Sequence, residues 1–66
     1  MKKLVEMKKE DGKNIEYISE INVFGTIEIN MYDDGVYPMG GFTLRPHEKG
    51  YQEEYDRIMR LGEEIA

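Results

Sequence analysis

The 66-residue sequence contains no cysteine. That excludes a disulfide framework, a thiolate nucleophile and a zinc–thiolate site. Long apolar runs are also missing: nothing approaches the ~18 residues of a membrane span. Met1-Lys2-Lys3-Leu4-Val5-Glu6 leads from basic residues into further charge, whereas a secretory signal needs roughly 7–15 apolar residues there. These absences point to a soluble, cytoplasmic chain with no membrane partner. Catalytic residue types are scarce too. His47 is the single histidine, and Ser19 is the single serine, placed mid-strand by the pattern around it.

What is present fits one domain, residues 1–66. A domain of this size buries only about 60% of the surface its unfolded chain exposes. With no disulfide or metal to help, the core must be efficient or a second chain must complete it. The formal net charge is −5. The first twelve residues hold four lysines against three acids, while the remainder holds five Lys/Arg against eleven acids. An acidic body repels phosphate backbones, so nucleic acid is not an expected partner. A protein with a basic surface is a better match.

Glu10-Asp11-Gly12 predicts a hairpin with a three-residue loop closed by Gly12. That register sets Met7 opposite Ile15 and Val5 opposite Tyr17. From Ile15 to Met31 the odd positions are mostly apolar and the even ones mostly polar, the period of a strand with one buried face. A straight strand of that length would span about 55 Å, too long for this domain. The chain therefore breaks near Asn22-Val23-Phe24-Gly25. Asp33-Asp34-Gly35 predicts a second hairpin, with Tyr32 opposite Tyr37, Met31 opposite Pro38, Ile29 opposite Gly40 and Ile27 opposite Phe42. Phe42 and Leu44 then join the core face, and Pro38 marks an edge strand.

The period changes after Gly50. Tyr51, Tyr55, Ile58, Gly62 and Ile65 recur at helical spacing. The helix starts at Pro46 or near Tyr51, and Glu53–Arg57 and Asp56–Arg60 are expected as stabilising i,i+4 pairs. The predicted fold is α+β: an antiparallel sheet of three to four strands with one C-terminal helix packed on one face.

One helix cannot cover both faces of a sheet. Ile18, Phe24, Tyr32, Tyr37 and Met39 fall on the far face by alternation, and a contiguous apolar patch there marks an interface. A second candidate is the strand-to-helix segment Gly40-Gly41-Phe42-Thr43-Leu44-Arg45-Pro46-His47-Glu48-Lys49. Here Gly40, Gly41, Thr43, Arg45, His47 and Lys49 offer backbone N–H groups, a hydroxyl and basic side chains beside a helix start. The pattern is neither a Walker loop nor a dinucleotide fingerprint. Asp33-Asp34-Gly35 lacks the spaced ligands of a calcium loop. No metal site, catalytic residue or cofactor is expected.

The sequence thus reads as a small non-catalytic binding protein, an inhibitor or adaptor of a protein partner, acting as a homodimer. Such small acidic chains fit a phage or mobile-element context. The alternative reading is a small-ligand binder holding a phosphate-bearing metabolite or nucleotide at Gly40–Lys49.

Overall fold

Two Asp-Gly pairs close the hairpins, each with both residues in the left-handed region: Asp11 φ 49° and Gly12 φ 77°, Asp34 φ 56° and Gly35 φ 72°. Turns of this kind match the twist of the strands they join, and glycine takes the second position without a Cβ penalty. The computed structural model, which describes residues 1–65, builds from them β1 (Lys2–Glu10), β2 (Lys13–Ile21), β3 (Ile27–Asp33) and β4 (Tyr37–Leu44). Helix α1 (Tyr51–Leu61) and the short β5 (Glu63–Glu64) follow. The sheet is antiparallel, in the order β4-β3-β2-β1-β5.

The α+β expectation holds, with one strand more than predicted. The helix stripe does not run on to Ile65. At Gly62 the backbone becomes extended, and its N–H donates to the Ile58 carbonyl. A Cβ at Gly62 would overlap the Ile58 carbonyl oxygen and come within 3.0 Å of the Lys3 carbonyl oxygen. Glycine therefore lets the chain leave the helix against β1. There Glu63 pairs with Lys3 and Glu64 with Lys2. At the other end Gly50, φ 89°, is the N-cap, so the helix starts at Tyr51 and not at Pro46.

The predicted break between β2 and β3 is present. The Asn22 Oδ1 accepts from the backbone N–H of Phe24 and of Thr26, at 2.9 and 3.0 Å. An asparagine side chain bonded in this way mimics a backbone turn. Gly25 completes it with φ 81°, and the Tyr51 hydroxyl donates to the Gly25 carbonyl at 2.5 Å.

Helix α1 packs chiefly on β1 and β2. Tyr51 and Ile58 bury against Leu4, Ile27 and Ile29, with Tyr17, Ile21, Leu44 and Tyr55 around them. The expected Glu53–Arg57 pair is replaced. Arg57 bonds Glu54 one turn back and Glu6 on β1, because the helix lies across that strand. The Glu6 carboxylate, foremost, holds the Arg57 guanidinium above its ordinary pKa. Asp56 accepts from Gln52 at 3.0 Å instead of meeting Arg60.

Candidate functional site

Two registers differ from expectation, and both decide what lies on the outer face, the side of the sheet away from the helix. The first loop has two residues, not three, so Glu10 pairs with Lys13. Leu4 then pairs with Ser19, Val5 with Ile18 and Met7 with Glu16. A one-residue slip moves every side chain of a strand to the opposite face. Leu4 therefore enters the core, while Val5 and Met7 stand on the outer face, 52% and 58% exposed.

The second register slips twice. Asp33 pairs with Tyr37, as Val36 adds one residue to the loop, and a bulge between Met31 and Tyr32 adds another at Met39. Phe42 now pairs with Ile29 and Leu44 with Ile27. The two slips cancel in parity, so Phe42 and Leu44 still face the helix side. Between the slips they do not cancel. Tyr32 pairs with Pro38 and not with Tyr37. Tyr37 shares the helix side with Asp33, near the hairpin tips. Met39 lines a shallow depression with Ile15, Tyr17 and Met31, also on the helix side.

Of the five predicted interface residues, Ile18 and Tyr32 therefore lie on the outer face. Phe24 is exposed in the β2–β3 turn, and Tyr37 and Met39 lie elsewhere. The structure adds Val5, Met7 and Pro38 instead. Across the strands, one row reads Val5–Ile18–Asn30–Gly41 and the next Met7–Glu16–Tyr32–Pro38. The row beside Val5 is Lys3–Glu20–Glu28–Thr43. The outer face thus carries an apolar group of Val5, Ile18 and Met7, interrupted towards Tyr32 and Pro38 by Glu16 and Asn30, with further acids on β2 and β3 and lysines on β1. The Asp-Gly pair alone carried no signal for Val5 and Met7, since Asp11-Gly12 closes a two-residue loop and Asp34-Gly35 a three-residue one.

The predicted anion segment is not assembled as a cradle. Gly40 and Gly41 lie in β4, and Thr43 pairs with Glu28 on its outer side. Arg45, His47 and Lys49 are exposed in the turns before the helix. The Arg45 N–H donates to the Glu48 carboxylate at 3.2 Å, so an acid of the chain already occupies that donor. Glu53 and Glu54 place two further carboxylates on the first helical turn. A carboxylate there satisfies the helix dipole locally and repels an incoming anion. Surface depressions lie elsewhere: beside the β1–β5 edge, about 410 Å³, at the hairpin tips, about 300 Å³, and two smaller ones. None of the four is lined by Arg45, His47 or Lys49.

Among the described residues no group of three His, Asp or Glu is placed to hold a metal ion. Among the described residues no helix is long and apolar enough to cross a membrane. Ser19 is buried between Leu4 and Ile29, 3% exposed, out of reach of a substrate. No protein-family model, curated protein or solved structure matches the chain.

Proposed function

We propose that the chain is a non-catalytic binding protein that engages a protein partner through the outer face of its sheet. The observation that supports this most is the placement of Val5 beside Ile18 and Met7, with Tyr32 on the far side of Glu16, on a face that no other element covers among the described residues. Large side chains left half in water gain about 25 cal/mol per Å² when a partner removes that water. Glu16, Glu20 and Glu28 flank them, which suits a partner whose own apolar patch has a basic surround. Occupying such a patch on another protein is the work of an inhibitor or adaptor and needs no reacting group.

The experiment uses the immobilised protein with two outer-face variants, Ile18→Glu and Val5→Glu, and a distant control, Lys49→Gln. A partner is expected to stay on wild type and on Lys49→Gln, to leave both outer-face variants, and to bind more weakly at high salt. Equal retention by all four proteins would remove the outer face from consideration.

A further inference from the structure

The edge of β1 is the least protected part of the molecule. β2 pairs with one side of β1 along Lys3–Glu10. On the other side β5 pairs only with Lys2 and Lys3, and Ile65 donates to the Met1 carbonyl. β5 runs antiparallel, so from Glu63 to Ile65 the chain passes from Lys3 to Met1, away from Val5. Backbone groups alternate sides along a strand. Because Met1 directs its carbonyl to β5, the N–H and C=O groups of Val5, Met7 and Lys9 point out of the sheet, and among the described residues no strand lies beside them. β4, the opposite edge, is interrupted by Pro38, by the bulge at Met39 and by Gly40 at φ 114°, features that discourage strand addition. β1 is regular from Lys2 to Glu10 and holds neither proline nor glycine.

Charge along this edge is split. Lys8 and Lys9 stand at one end. At the other is the depression of about 410 Å³, lined by Val5, Leu61, Glu63, Glu64 and Ile65 among others. We propose that this edge pairs with β1 of a second copy of the chain, antiparallel, with the two-fold axis through Met7. Met7 then lies opposite Met7 of the second copy, Val5 opposite Lys9, and Glu6 opposite Lys8.

Neighbouring registers are worse. A shift centred on Lys8 sets lysine against lysine and Glu6 against Glu10, and one centred on Glu6 sets glutamate against glutamate. A shift centred on Val5 is blocked, because it lays the middle of the second strand, Met7, against Lys3, which β5 occupies. In the Met7-centred register the second strand ends at Glu10, opposite Leu4, and turns away at Asp11. The Met7-centred register opposes Glu6 and Lys8 twice on the helix side. It also brings Lys9 of the second copy to the mouth of the depression that holds Glu63 and Glu64. Like charges directly opposite destabilise a sheet and opposite charges support it. The edge groups of Val5, Met7 and Lys9 meet each other in hydrogen-bonded pairs. The two sheets become one, with the Val5 and Met7 side chains of both copies adjoining on the outer face. This inference rests on the edge and not on what the outer face binds.

The test is the mass of the full chain by sedimentation equilibrium, from micromolar to millimolar concentration, for wild type, Met7→Pro, Ile18→Glu and Lys8→Glu. The Met7 N–H points outward, so proline removes an intermolecular donor and spares the β1–β2 ladder. Wild type and Ile18→Glu are expected to dimerise, Met7→Pro to dimerise at least about tenfold more weakly, and Lys8→Glu to weaken at low salt. A Met7→Cys variant is a second readout, independent of whether Met7→Pro folds. Self-paired positions of this type lie about 5.5 Å apart at Cα, within disulfide reach. The sequence has no other cysteine, so under mild oxidation a covalent dimer should form with Met7→Cys and not with a Lys49→Cys control. A monomer throughout, equal cross-linking of both cysteine variants, or a dimer that survives Met7→Pro and is lost in Ile18→Glu would overturn the proposal.

Discussion

Tyr17 shows how a single side chain records its neighbours. Its hydroxyl donates to Glu10 at 2.6 Å, and the Lys8 ammonium sits 4.8 Å above its ring. The bond to Glu10, chiefly, raises the Tyr17 pKa, with burial and the Glu10 charge adding to it. The folded state therefore favours the neutral phenol. Whatever stability this contributes is complete below about pH 10 and disappears as pH rises through the folded value. Ring carbon shifts followed by NMR should show Tyr17 titrating above its usual range, and Glu10→Gln should bring it back down. An identical titration in Glu10→Gln would assign the shift to something else. Asn22 is a comparable case at the backbone: its two accepted N–H bonds hold the β2–β3 turn where alternation alone says only that the chain must bend.

For the elements, parity decides more than position. The four hairpin strands, the break near Asn22–Gly25 and a C-terminal helix were legible from period and from turn residues, while the helix start stayed open between Pro46 and Tyr51. Register was not, because loop lengths of two and three residues both suit Asp-Gly and differ by one step. That step decides whether Leu4 or Val5 is buried. Ser19 across from Leu4 illustrates the outcome, since a small buried hydroxyl residue leaves room there for leucine. Inserting one glycine between Asp11 and Gly12 tests how firmly the register is held. A slip would expose Leu4, costing roughly 1.5–3 kcal/mol for one apolar side chain. The insertion should instead bulge into the loop, keep Leu4 opposite Ser19, and cost about 1 kcal/mol by urea denaturation. Cross-strand contacts between Val5 and Ser19 in the inserted protein would refute this. β5 escaped prediction for a related reason. Gly62 and Ile65 continue the helical spacing numerically, but the Lys3 carbonyl meets the chain at Gly62 and turns it into the sheet.

Over the whole molecule the core is small. Ile27 and Ile58 are its fully buried large side chains, and α1 contributes just Tyr51 and Ile58 as buried residues. A chain of this length has a total stability of about 3–10 kcal/mol. Removing most of a buried isoleucine costs about 2–5 kcal/mol. Ile58→Ala should therefore take up much of the total, read as a large fall in the urea midpoint. A loss under about 1 kcal/mol would mean that the helix does not hold the sheet through this residue. The sequence by itself determined the class of fold, the hairpins, the sided β2–β3 pair and the acidic balance, because each follows from local periodicity, turn chemistry or a count. Tertiary structure decided which side of β1 is wet, how far the helix runs, where Tyr37 and Met39 fall, and that the β1 edge is open. Those outcomes depend on which distant strand lies alongside, and parity across a strand pair reverses with one residue, which period alone does not encode.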